Sequence, residues 1–182
     1  MKRPHLILAI ALIVGAAGIR VLRDAGLISL PPNVAPIAAL ALFGGVYLPR
    51  RLAFAVPLAA MLLADVLIGF YELGIMASVY GSFAVSGLIG LWLRTHKRVG
   101  PILTGTVIGS MVFFLVTNAA VWAFAALYPK TIAGLLAAYV AGLPFFRNTV
   151  LGDLAFTGLL FGAFELALLL ARRRQLVVHQ KS

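Results

Sequence analysis

The stretch Leu103–Leu127 reads LTGTVIGSMVFFLVTNAAVWAFAAL and carries no charged side chain. As a helix it would rise about 37 Å, more than the ~30 Å hydrocarbon thickness of a bilayer. A helix that is apolar on every side needs an apolar surround, and the rest of the chain is built the same way. Of 182 residues, 63% are hydrophobic and only 11% are charged, with a mean hydropathy of +1.07. Soluble chains carry about 25% charged residues to face water. This exterior has to face lipid, so the expected class is an all-α integral membrane protein.

Outward from that stretch, five further apolar runs come near the length a bilayer requires. They lie near Leu6–Leu22, Asn33–Leu48, Leu52–Phe70, Ile75–Leu93 and Thr149–Ala171. With Leu103–Leu127 they predict six transmembrane helices in a single membrane domain over residues 1–182. The second run is the shortest and is interrupted by Pro36. A seventh apolar patch, Ile132–Phe146, is bounded by Pro129 and Pro144 and is too short to cross. It is expected as a re-entrant or interfacial segment folded over the outer mouth.

Basic residues orient the helices. With the N-terminus inside, the cytoplasmic segments carry Lys2, Arg3, Arg50, Arg51, Arg94, Lys97, Arg98, Arg172, Arg173, Arg174 and Lys181. The outer segments carry only Arg20, Arg23, Lys130 and Arg147. This asymmetry predicts both termini in the cytoplasm of a cell inner membrane, with multiple passes. Met1-Lys-Arg, an apolar run and Gly15-Ala16-Ala17-Gly18 also fit a signal peptide, whose removal would leave five spans in the same orientation.

The formal net charge of +10 is accounted for by these loops, which argues against a nucleic-acid partner. There is no cysteine, and His5, His96 and His179 all fall in cytoplasmic segments. No metal or cofactor is expected in an outer-leaflet site.

Charged and amide side chains within spans are costly, and each is a functional hypothesis. Asp65 lies in the outer half of the third span. Asp153 lies near the outer end of the sixth, after Arg147 and Asn148. Arg20 ends the first span, Asn33 opens the second, and Thr117 and Asn118 sit in the outer half of the fifth. Five helices thus bring polar groups to one depth, together with Tyr71, Tyr80, Trp122, Tyr128, Tyr139, Phe145 and Phe146. The aromatics taken singly also fit an interfacial belt, and Arg147 with Asp153 fits a plain ion pair. As a set, the acids and amides point to a ligand pocket open to the outside. In that pocket Asp65 and Asp153 accept hydrogen bonds from a ligand or hold Arg147 and Arg20. Asn33 and Asn118 supply paired donors and acceptors, and Trp122, Tyr80 and Phe146 stack on a flat ring. Glu165, nearer the other end, reads as a locally paired or snorkelling acid within reach of Arg172 or of a partner subunit. Ala11/Gly15, Ala55/Ala59, Gly105/Gly109 and Gly158/Gly162 recur at the spacing of close helix packing.

Three stretches form a recognisable set: Asn33-Val-Ala-Pro-Ile-Ala-Ala-Leu-Ala-Leu-Phe-Gly-Gly, Val116-Thr-Asn-Ala-Ala-Val-Trp and Leu143-Pro-Phe-Phe-Arg-Asn-Thr-Val-Leu-Gly-Asp. Together they resemble a bacterial family of uncharacterised six-span proteins grouped as candidate transport proteins. That family in turn resembles the substrate-binding (S) components of energy-coupling factor (ECF) vitamin transporters. The resemblance implies a six-helix bundle with both termini inside. It implies an outer pocket capped by the first, third and fifth loops, and a partner module of a transmembrane scaffold and two ATPases. Where those S components carry an Ala-xxx-Ala pair on the first span, this chain has Ala11/Gly15, and it shows no vitamin-specific motif.

The expected function is therefore a non-enzymatic, membrane-embedded binding subunit for uptake of a small organic molecule such as a vitamin or precursor. Two rivals remain at this stage. An intramembrane aspartyl-type protease would use Asp65 and Asp153 as a proton-sharing pair. However, Val150 replaces the first glycine of the Gly-x-Gly-Asp motif, and Ala64 precedes Asp65 where such proteases carry tyrosine. A structural membrane protein would have no ligand at all. A channel has less support, since no acidic ring or inverted repeat is evident.

Overall fold

The computed structural model describes residues 3–179, and of residues 3–5 and 174–179 it describes the backbone only. Lys2 and Lys181, two of the charges from which the orientation was inferred, lie outside the described residues. Six helices run in the order α1 (Arg3–Asp24), α2 (Ile37–Tyr47), α3 (Arg50–Ile68), α4 (Leu73–Leu93), α5 (Val99–Phe124) and α6 (Ile132–His179), with no strand among the described residues. Five of them are long and apolar enough to cross a membrane. Their outward faces carry bare Ile7, Val66, Leu67, Trp92 and Val99, each more than half exposed, an apolar girdle of the kind lipid covers. The chain has the make-up of a multi-pass membrane protein.

The expected second span is corrected. α2 has 11 residues and rises about 16 Å, half the hydrocarbon thickness. The chain ahead of it cannot be helical. Asn33 adopts a left-handed φ of 64° after Pro31-Pro32, and Val34 N–H bonds back to Pro31 C=O at 3.2 Å. Proline followed by asparagine at the central turn positions is the chemistry of a type II turn. Ala35, preceding Pro36, is biased away from helix as well. Helix therefore starts only at Ile37.

What α2 lacks in length it recovers in burial. Ile37, Leu40, Leu42, Phe43 and Val46 are at most 3% exposed. It packs against every other helix, while α1, α3, α4, α5 and α6 follow one another around it as neighbours; α1 and α6 share no backbone contact. Glycine permits the closest crossing. A Cβ on Gly45 would lie 2.6 Å from Gly87 O and Gly90 Cα of α4, so the two backbones touch directly. At the C-terminus of α2, the Arg94 guanidinium donates from Nε to Gly45 C=O and from Nη2 to Leu48 C=O. It thereby satisfies carbonyls the helix cannot, at the negative end of its dipole.

The stretch Ile132–Phe146 is also corrected: it is not a separate segment but the opening of α6, which continues through Pro144 to His179. Proline removes one N–H, and in an apolar bundle neighbouring helices can accommodate the break. α5 and α6 form an antiparallel pair, with Thr106 beside Thr157, Ser110 beside Asp153, and Phe114 beside Phe146. Of the small-residue faces, Gly105 and Gly109 meet α4 side chains, whereas Gly15, Gly158 and Gly162 face open space.

Candidate functional site

Chain termination sets the first wall. α1 ends in a Schellman-type cap, with Leu27 N–H bonded to Leu22 C=O and Gly26 at φ 71°. α3 ends at Gly69, φ 118°, whose N–H returns to Asp65 C=O. α1 and α3 are parallel, so their last turns lie side by side. There Arg20 Nη2 meets Asp65 Oδ1 at 2.8 Å, and Tyr80 of α4 donates to Asp65 Oδ2 at 2.8 Å. Asp65 is 1% exposed, and both its oxygens are used. Arg20 Nη1 reaches Met61 Sδ at 2.7 Å, and its Nε is the one buried side-chain polar atom without a partner among the described residues. Three helices are thereby tied by one carboxylate.

Beside this knot lies a cavity of about 490 Å³. Arg20, Arg23, Asp24 and Tyr71 stand around it from the loop end, Asn33 from the approach to α2 and Ala38 from its first turn, Phe83 and Phe113 from α4 and α5, and Thr149 and Asp153 from α6. Tyr71 sits in the α3–α4 loop, where burial, then the charge of Asp65, push its phenol up to about 12 against the opposing pull of Arg20. It is a neutral donor at ordinary pH. Asp153 is 3% exposed and accepts from Ser110 Oγ at 2.7 Å. Thr149, Asp153 and Thr157 are spaced by four, one stripe of α6, and face Thr106 and Ser110, spaced by four on α5.

A second cavity of about 340 Å³ adjoins the first, sharing Asn33, Val79, Phe113 and Thr149. Its own lining includes Thr117, Asn118, Tyr128, Phe145 and Phe146. Asn118 donates from Nδ2 to Phe114 C=O at 2.8 Å, and its Oδ1 lies where any Cβ on Gly142 would fall. A larger residue at 142 would force the Asn118 and Phe114 side chains to shift. Both volumes fall in the range of small-molecule sites, about 300–1,000 Å³.

The structure thus brings Arg20, Asn33, Asn118, Phe146 and Asp153 to these two cavities. Asp65 and Tyr80 stand behind the lining and hold Arg20. Trp122 lines neither cavity; its indole N–H donates to Pro129 C=O at 2.9 Å, and Lys130 lies 5.9 Å over its ring, closing the α5–α6 turn. Arg147 is exposed and forms no ion pair with Asp153, and Asn148 lines neither cavity. Phe146 packs on Phe114 at 4.8 Å. Asp65 and Asp153 have different partners and no hydrogen bond to each other. Ser110, Thr149, Arg23, Phe83 and Phe113 were not singled out from sequence. The signal available was the four-residue spacing of hydroxyls and acid on α5 and α6. At the opposite end, Glu165 accepts from Tyr47 O–H rather than pairing with Arg172, and Lys97 lies 4.8 Å over the Tyr47 ring.

The chain belongs to a family of unknown function, DUF6580, whose profile matches residues 1–177. No curated protein and no solved structure matches it.

Proposed function

We propose that this member of DUF6580 is the substrate-binding subunit of an uptake system in the cell inner membrane, taking a small organic molecule from the outer side. The observation that carries the reading is convergence. Residues from α1, α4, α5, α6 and the descending loop before α2 line two adjoining cavities at one end of the bundle, with Asp153, Arg20, Asn33 and Asn118 among apolar and aromatic walls. Irregular backbone at membrane depth is tolerated where it lines a cavity, and the stretch before Ile37 does so through Asn33 and Ala35. The basic residues Arg50, Arg51, Arg94, Lys97 and Arg98 lie at the other end. With those charges in the cytoplasm, the cavities open outward. By the resemblance to S components, the energy for release would come from a scaffold subunit with two ATPases.

The test is to purify the protein in mild detergent, release co-purifying small molecules for mass spectrometry, and screen vitamins and precursors by thermal shift. A stoichiometric ligand, or stabilisation by one compound class, supports the binding subunit. No released ligand together with a flat screen overturns it in favour of a structural role.

A further inference from the structure

Asp153 marks the deep end of the larger cavity. With Ala38 it also borders a void of about 10 Å³ further into the bundle, beside Ser86 and Thr106. Among the described residues its only side-chain partner is the neutral Ser110 hydroxyl. Among the described residues the single ion pair is Arg20–Asp65, so no basic side chain answers Asp153. Of the other charges around the cavity, Arg20 is held by Asp65, while Arg23 and Asp24, adjacent in sequence, offset each other in charge without forming an ion pair. One acid is left over, at the closed end, within an apolar bundle where an uncompensated carboxylate costs several kcal/mol. The walls above it are aromatic. Phe83 and Phe113 are stacked with centroids 5.3 Å apart and an interplanar angle of 24°, and Tyr71 stands nearer the mouth.

We propose that the cavity takes a small organic cation, a ring-sized molecule bearing a protonated or quaternary nitrogen, with Asp153 as its counter-ion. The carboxylate supplies the charge and the rings supply favourable quadrupole contact to a cation. A volume of about 490 Å³ suits a molecule larger than a bare metal ion. The inference rests on the small-molecule-binding reading above and narrows it to one ligand charge.

The experiment uses the full chain in detergent and three matched series of aromatic compounds: amines cationic at neutral pH, their uncharged amides, and the corresponding carboxylates. The amines alone are expected to raise Tm, and Asp153→Asn is expected to weaken amine affinity about tenfold or more. Glu165→Gln, at the far end beside Tyr47, should leave the amine response unchanged. The discrimination of amine from amide is read on the unmodified protein, so it stands whether or not the Asp153 variant folds. Amides or carboxylates stabilising as well as amines, or an undiminished amine response in Asp153→Asn, overturns the counter-ion role and leaves the binding reading intact. A flat response to all three series overturns the cation proposal and, together with the absence of a released ligand, the binding reading as well.

Discussion

Asp65 accepts from Arg20 and from Tyr80, so its removal releases two helices from α3 at once. Replacing it with asparagine leaves a guanidinium in an apolar surround with no counter-charge. Breaking a buried pair in this way typically costs about 3–5 kcal/mol, and Arg20, 22% exposed, places the loss at the low end. Tyr80→Phe deletes one hydrogen bond and should cost about 1 kcal/mol. Unfolding of both variants in detergent is the measurement; equal losses would mean that the ion pair adds nothing to the bond. Tyr71 offers a pH test. Its phenol titrates near 12 in the folded protein against about 10 for an unfolded chain. The folded state therefore holds this proton more tightly, and its contribution to stability is complete below about pH 10 and lost as pH rises toward 12. Spectrophotometric titration of the protein against Tyr71→Phe should lose a component in that alkaline range and none near neutrality. Asp65 and Asp153 were visible in the sequence as rare intramembrane acids. Arg20 was also legible as a partner for one of them, and it is found on Asp65; Arg147 is not found on either acid, and Ser110 was not foreseen because it reaches Asp153 across 43 positions of chain.

At the scale of elements, equivalent sequence spacing hides unequal roles. Gly45 and Gly90 sit at a backbone crossing with no room for a Cβ, whereas Gly158 and Gly162 have nothing within 4 Å. Gly90→Val should destabilise the bundle by about 1–3 kcal/mol through overpacking. Gly158→Ala with Gly162→Ala should leave the stability of the isolated protein equal or raise it slightly, as helix propensity favours alanine. Thermal melts of the two variants side by side decide the point; a large loss in the α6 pair would place those glycines in a packed face. Arg94 is a second element-scale device. Burial, with Arg50 nearby, holds its guanidinium below the usual arginine range, and it remains forked over the last carbonyls of α2. Arg94→Lys should not rescue Arg94→Ala, since a point ammonium cannot reproduce two divergent donors. Four helix runs, α1, α3, α4 and α5, were legible from length and hydropathy alone. The limits of α2 and α6 were not. Proline chemistry shortened one, and proline failed to interrupt the other.

As a whole, the described residues form five long helices around a short buried one, with the polar lining gathered at the end where α1, α3 and α5 finish. Orientation is testable because the chain has no cysteine. A single cysteine placed in the α3–α4 loop near Tyr71 should react with an impermeant maleimide on intact cells. One placed near His96, in the α4–α5 loop, should react only after permeabilisation; the reverse pattern would turn the cavities toward the cytoplasm and remove the uptake reading. By itself the sequence determined the all-helical class, the apolar exterior and the gathering of acids, amides and arginine toward one end of the bundle. Those properties follow from composition and from the fixed rise of a helix against bilayer thickness, which need no knowledge of neighbours. Only the tertiary structure decided that α2 is a buried half-length helix and that Asp65 is matched while Asp153 is not. It alone placed Trp122 and Arg147 outside the cavities. Pairing of charges and closure of a cavity depend on which faces of distant helices meet, and hydropathy along one helix carries no record of its neighbours.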